Sequence, residues 1–83
     1  MVLGDGVVLQ AMKQARFTNG TVLRLREMEG RQTIAHVTID GIAFERAFLC
    51  NLAEDKLDPL PVADGSFDVP CKTLGLSTVL LEP

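Results

Sequence analysis

The sequence predicts an all-β protein, either a small antiparallel β-sandwich of the immunoglobulin-like type or a partly open barrel of about six to seven short strands. Runs of β-branched and apolar residues recur at intervals of roughly 8–12 residues, and turn residues separate them. No internal repeat, low-complexity tract or linker divides the 83 residues, of which 47% are hydrophobic. Residues 1–83 are therefore predicted to form one domain with one modest core.

Charge and aromatic content argue against several binding functions. The net charge is −3, and the eight basic residues are mixed with eleven acidic ones, whereas nucleic-acid or anionic-membrane binding needs clustered Lys and Arg. No apolar run approaches the roughly 20 residues of a membrane span. Phe supplies all four aromatic residues, which is few for the exposed aromatic platform of a self-contained sugar-binding module.

Two strands open the chain. Residues 7–15 contain good helix formers, but the β-branched pair Val7 and Val8 favours a strand. The Asn-Gly pair that ends at Gly20 predicts a hairpin into a second strand over residues 21–28. That strand places Leu23 and Leu25 on one face and two arginines on the other, and Gly30 is suited to the turn that follows.

A second hairpin is predicted in the middle of the chain. Residues 33–40 are rich in β-branched residues, and Asp40-Gly41 is a typical two-residue turn. A fourth strand would then run from residue 42 to about residue 51. Its alternation makes Phe44 and Phe48 the leading candidates for core residues.

The last third is predicted to be more irregular. Charged residues and prolines in residues 52–65 indicate a surface excursion with one short edge strand. A short strand over residues 66–69 should stop at Pro70, and a closing strand should span residues 76–81. Because that last strand is apolar on both faces, we expect it to be central in its sheet or covered by something outside the chain.

We find no constellation of residues for catalysis or for metal or cofactor binding. His36 has no second His or Cys at zinc-ligand spacing, and it is predicted to lie on the surface. Cys50 and Cys71 are predicted to be buried thiols of a cytoplasmic protein, with a single disulfide as the alternative. The acidic pairs Glu27/Glu29 and Glu54/Asp55 lie at turns, where carboxylates are usually solvated.

Four short motifs carry a resemblance to a known family. The first is the apolar run from Val7 that ends at Lys13; the second is the G-x-V-L-R-L-x-E-x-x-G pattern of residues 20–30. An x-N-L-x-E segment follows at residues 50–54, and a closing strand follows Pro70. In this order and spacing, the chain resembles the C-terminal β-domain of glycoside hydrolase family 38 α-mannosidases. It departs from the family pattern at Arg26, where an aromatic residue is usual, and after Pro70.

The resemblance implies that this domain is the C-terminal fragment of a larger, retaining, zinc-dependent α-mannosidase. The zinc ligands and the carboxylate nucleophile of that family lie in an N-terminal barrel, so the resemblance implies no catalytic or metal residue in this chain. The implied partners are the catalytic domain of the same protein and, through it, the glycan substrate. Polar side chains within apolar segments are the predicted contacts with that domain, namely Arg24, Arg26, Glu27 and Asn51.

Three hypotheses for the function differ in what they predict for the surface. A packing module of a glycosidase should expose an apolar patch. A stand-alone carbohydrate-binding or protein-interaction domain should instead have a concave polar groove with at least one exposed Phe. A small enzyme should place His36 in a pocket beside a cysteine or a carboxylate.

Overall fold

The computed structural model describes residues 6–16, 18–39 and 41–83, and within them the chain forms seven strands. They are β1 (Val7–Gln14), β2 (Thr21–Glu27), β3 (Thr33–Thr38), β4 (Arg46–Cys50), β5 (Lys56–Leu60), β6 (Ser66–Cys71) and β7 (Leu76–Glu82). The predicted all-β class, the strand number and the strand at residues 7–15 are confirmed. Within this described part, no helix could span a membrane.

The strands form two antiparallel sheets that pack as a sandwich. One sheet has five strands in the order β1-β2-β7-β4-β5, and the other pairs β3 with β6. Strand β7 lies between β2 and β4, so the prediction that the closing strand is central is confirmed. Strand β5 is the exposed edge strand expected in the excursion after residue 52.

The main core fills the space between the sheets. It combines Leu23 and Leu25 of β2 with Val79 and Leu81 of β7, and the small sheet contributes the alternate residues that face them. The buried members from the small sheet are Ala35, Val37, Phe67, Val69 and Cys71. This alternation is the period-2 burial of strands with one inward face.

A second buried cluster lies on the outer face of the five-stranded sheet. It contains Ala15, Val22, Cys50 and Leu80, with Phe48 packed against them. Sheet faces that are apolar on both sides need a cover on both sides. Part of the cover comes from the β4–β5 turn, because buried Glu54 accepts a hydrogen bond from the backbone N–H of Arg16, which follows β1.

Gly20 is required at the start of β2 because of a close backbone approach. A Cβ atom at this position would lie 2.3 Å from the carbonyl oxygen of Leu81, far inside van der Waals contact. Its φ is not in the left-handed region, so it does not supply the two-residue turn that Asn-Gly pairs usually form. Strands β1 and β2 nevertheless pair as the predicted hairpin, through a longer connection. By contrast, Gly30 has the predicted positive φ, 81°.

The second predicted hairpin is wrong. Strand β3 pairs with β6, whereas β4 pairs with β5 and β7, so residues 41–45 cross from one sheet to the other. Gly41 has the φ of 86° expected of a turn glycine, and Asp40 lies outside the described residues. A local turn signal gives the chain's change of direction but not the sheet in which the next strand pairs.

Three further details differ from the sequence-based expectations. The fourth strand begins at Arg46, and Phe44 and Phe48 are only half-buried. Phe44 packs edge-on against Phe67 with ring centroids 5.7 Å apart, whereas Phe48 belongs to the outer cluster. Strand β6 continues past Pro70, because β6 pairs on one side only and tolerates a residue without an N–H.

Candidate interaction surface and buried polar groups

The predicted contact residue Glu27 lies at the end of β2 and is completely buried. Its Oε1 accepts hydrogen bonds from the backbone N–H groups of Gly30 (2.8 Å), Leu74 (2.9 Å) and Arg31 (3.0 Å), and its Oε2 accepts one from Glu29 (2.7 Å). These N–H groups, with Leu74 first, lower the pKa of Glu27 against the opposing effect of burial. The carboxylate thus joins the β2–β3 and β6–β7 connections.

The predicted contact residue Asn51 also has partners within the chain. Its side-chain oxygen accepts hydrogen bonds from the N–H groups of Ala53 and Asp55, and its Nδ2 donates to an Asp55 carboxylate oxygen. Such side-chain-to-backbone bonds two and four residues ahead are typical of Asn at a turn. Asn51 therefore shapes the β4–β5 turn, and its role as an interdomain contact stays a prediction.

Glu54, in the same turn, was expected to be a solvated loop carboxylate and is instead buried. Its Oε1 accepts the Arg16 N–H at 2.7 Å, and its Oε2 lies 3.3 Å from Lys13 Nζ. The Arg16 N–H is the largest of the contacts that lower the pKa of Glu54, against the effect of burial. Its φ of 67° is a left-handed conformation that a residue other than glycine rarely adopts.

Arg24 and Arg26 lie on the outer face of the five-stranded sheet, as the alternation of β2 predicts. Arg26 donates from Nε to Gln10 Oε1 at 2.8 Å. The Nε of Arg24 is enclosed and has no hydrogen-bond partner, and neither arginine forms a salt bridge within the part of the chain that the structure describes. Of the four predicted contact residues, these two are therefore cations without an ionic partner among the described residues.

A cleft of ≈ 550 Å³ opens at one end of the sandwich. Its walls come from the start of β3, the end of β6, the start of β7, and from β4 and β5. Most of the lining is apolar, and three large apolar side chains of the wall are solvent-exposed, namely Ile34, Leu57 and Leu76. Sequence reasoning singled out Leu76, as part of a strand that is apolar on both faces, but no periodic signal marked the other two.

The other candidates from the sequence, His36 and the two cysteines, differ in their exposure. His36 is exposed and its Nδ1 lies 2.7 Å from an Asp68 oxygen on the neighbouring strand, which confirms its predicted surface position. Both cysteines are buried free thiols, and burial raises the pKa of Cys50 and of Cys71. No group of three or more potential metal ligands occurs among residues 6–16, 18–39 and 41–83.

Comparison with known families agrees with this architecture. Residues 6–79 match the family described as the glycosyl hydrolases family 38 C-terminal beta sandwich domain. No curated protein matches the chain. The match covers most of the sequence, including all the strands except the last residues of β7. The chain therefore belongs to the family of C-terminal β-sandwich domains of family 38 glycosyl hydrolases.

Proposed function

We propose that this domain is the non-catalytic C-terminal module of an α-mannosidase-like glycoside hydrolase, and that it packs against and supports the catalytic domain of the same protein. The proposed parent hydrolyses α-mannosides with a zinc ion, and both the zinc ligands and the reacting groups belong to that preceding domain. Family membership supports the hydrolase part of this proposal. The preference for α-mannosides rests on the resemblance to family 38 α-mannosidases, which the four motifs carry through their order and spacing.

The exposed apolar cleft is the main observation in favour of packing against a catalytic domain. Ile34 is 66% exposed and Leu57 is 57% exposed. Both line the cleft together with Leu76. Contiguous exposed apolar surface around a cleft is typical of an interaction site. A carbohydrate-binding module would instead need an exposed aromatic ring, and the described Phe residues are buried or half-buried.

The position of His36 supports an inactive isolated domain. A small enzyme would hold this side chain in a pocket beside a nucleophile or an acid, whereas His36 is solvent-exposed and does not line the cleft. Its one described side-chain partner is Asp68, a surface residue. We also place the parent protein in the cytoplasm, because two free buried thiols fit a reducing compartment.

The test begins with the reading frame upstream of Met1. We expect it to encode a preceding catalytic domain with an Asp/His zinc constellation. The whole protein, the protein without residues 1–83, and the isolated 83-residue chain should then be assayed on nitrophenyl α-mannoside. The whole protein should hydrolyse it, the truncated protein should be less active and less heat-stable, and the isolated chain should be inactive.

Two results would contradict the proposal. One is a whole protein whose activity and thermal stability do not change when residues 1–83 are removed. The other is a reading frame that contains no hydrolase domain. In the second case a glycan array probed with the isolated chain would test whether it is a stand-alone binding module.

A further inference from the structure

We propose that the domain docks onto its catalytic domain through one defined area, which we call the Leu76 surface. This inference rests on the proposed function. The Leu76 surface consists of exposed apolar side chains, the exposed Arg26 and the half-buried Arg24, on the outer sheet face and at the adjoining cleft. The apolar members are Val8, Ile34, Leu57 and Leu76. We infer that its partner presents an apolar side chain to the cleft and a carboxylate to the arginines.

Strand register places the centre of this surface. Arg26 pairs with Val8 on one side and with Leu76 on the other, so these three residues form one row across β1, β2 and β7. Val8 is 47% exposed and Leu76 is 36% exposed. Side chains directly opposite in adjacent strands lie within contact distance. The row is therefore a continuous exposed strip of apolar, cationic and apolar side chains.

The strip continues into the cleft. Leu76 belongs both to the row and to the cleft wall, and Ile34 and Leu57 extend the wall toward β3 and β5. A concave site beside large exposed apolar side chains suits a protruding apolar residue of a partner, which is the common arrangement of an interface hot spot. This part of the surface therefore accounts for the apolar half of the inferred contact.

Arg24 and Arg26 account for the polar half of the inferred contact. Arg24 lies two residues before Arg26 on the same face of β2, opposite Thr78, and its enclosed Nε has no acceptor among the described residues. A guanidinium N–H that loses water without gaining a partner destabilises the free domain. Arg26 is bonded to the neutral side chain of Gln10. An incoming carboxylate would form charge-assisted bonds with the remaining N–H groups of the exposed Arg26 guanidinium.

The charge pattern favours a preceding domain over a second copy of this chain. A two-fold symmetric dimer would place the same patch against itself and bring the arginines of both copies together. An acidic segment of a tethered catalytic domain has complementary charge, and the covalent link raises its effective concentration to the millimolar range. Arginine is enriched at protein interfaces, and the buried core of an interface is more apolar than the rest of the protein surface.

The decisive experiment is scanning calorimetry of the whole parent protein with substitutions on the Leu76 surface. In the wild type, this domain and the catalytic domain should unfold in one coupled transition. Leu57→Asp and Arg26→Glu should each split it in two, with one transition at the temperature where the isolated chain unfolds. Met12→Asp is the matched control, because Met12 is 50% exposed on β1 but lies outside the surface, and it should keep a single transition.

Isolated chains with the same substitutions show whether folding itself is affected, since both residues are exposed and should leave the unfolding temperature of the free domain unchanged. The inference is overturned if Leu57→Asp and Arg26→Glu behave like Met12→Asp in the parent, even when deletion of the domain impairs the enzyme. It is also overturned if the free chain forms a dimer that Leu57→Asp dissociates. A failure of the proposed function would look different, because removing residues 1–83 would then leave the activity and thermal stability of the parent protein unchanged.

Discussion

Two of the three buried glutamates among the described residues, Glu27 and Glu54, are held by different kinds of partners. Glu27 projects from a strand into the core side and is satisfied entirely by backbone N–H groups from two connections. Glu54 lies in a turn with a left-handed φ, and it depends on one backbone N–H and on Lys13, whose side chain is 41% exposed. A carboxylate bonded by fixed backbone N–H groups should stabilise the fold as a whole. A carboxylate bonded partly by a half-exposed lysine should stabilise only the local segment, here the β4–β5 turn.

The largest effect should come from Glu27→Gln. The variant replaces one acceptor oxygen with an NH₂ group that faces backbone donors, so buried N–H groups lose their partner. We expect its unfolding temperature, measured by circular dichroism, to fall further than that of Gly20→Ala or Glu54→Gln. Glu29→Gln is the control, because that side chain is about half exposed. Equal unfolding temperatures for Glu27→Gln and Glu29→Gln would show that the buried carboxylate has no special role.

The free energy of unfolding should also fall at acid pH, and the lowered pKa values of Glu27 and Glu54 give the direction of this change. Their pKa values in the folded chain lie below the ordinary value of 4.5, so the unfolded chain binds more protons at acid pH. The stabilisation is complete above about pH 4.5 and is lost as the pH falls through the folded pKa values. Urea unfolding between pH 3 and pH 7 should show this, with a flatter profile for Glu27→Gln. An unchanged slope in that variant would contradict the assignment to Glu27.

A pair of glycine substitutions should distinguish the surroundings of the two glutamates by how tightly they are packed. An added Cβ at Gly20, beside Leu80 of the outer cluster, would meet the Leu81 carbonyl oxygen at 2.3 Å. At Gly75, whose carbonyl oxygen accepts the Glu27 N–H, the nearest atom is a Lys72 carbon at 3.1 Å. Gly20→Ala should therefore lower the free energy of unfolding by about 1–3 kcal/mol, the usual range for overpacking. Gly75→Ala should cost less. Chemical denaturation of both variants checks the order, and a reversed order would mean that the β1–β2 connection yields freely.

The smallest effect should come from Glu54→Gln and should be local. The variant loses the ion pair with Lys13 but keeps an oxygen for the Arg16 N–H. We expect a minor change in unfolding temperature but faster alkylation of Cys50, which lies in the outer cluster under this cover. Labelling by iodoacetamide, followed by mass spectrometry, measures it.

Cys71 supplies the internal control for that labelling. It belongs to the core cluster between the sheets, and burial raises its pKa as it does for Cys50, so both native thiols should react slowly. Glu54→Gln should accelerate labelling of Cys50 more than of Cys71. Equal acceleration would mean that Glu54 supports the whole fold, as Glu27 is inferred to do.

Local patterns predicted the parts of this fold that depend on strand period and on the immediate neighbours of a turn. The alternation of Leu23 and Leu25 with Arg24 and Arg26 gave the two faces of β2, and the double-sided apolar character of residues 76–81 gave the central place of β7. The Asp40-Gly41 signal failed for the opposite reason, because the choice between sheets depends on residues far along the chain. Strand β3 finds its partner in β6, about 30 residues later.

The candidate interaction surface was also predictable only in part from the sequence. The sequence marked four polar residues as contacts, because polar groups in apolar segments need partners. Only the tertiary structure showed that Glu27 and Asn51 find their partners in nearby turns, whereas the Nε of Arg24 has none among the described residues. Glu54 was missed, since nothing in a polar turn indicates that a carboxylate will be buried by a connection 38 residues away.

By itself, the sequence determined an all-β class, the principal strands, the central last strand and the family resemblance. These follow from side-chain alternation and motif order, which are properties of consecutive residues. The tertiary structure alone decided the pairing of β3 with β6, the burial of Glu54 and the cleft that joins Ile34, Leu57 and Leu76. Each of these depends on contacts between residues distant in the chain, and no local period encodes which distant surfaces will meet.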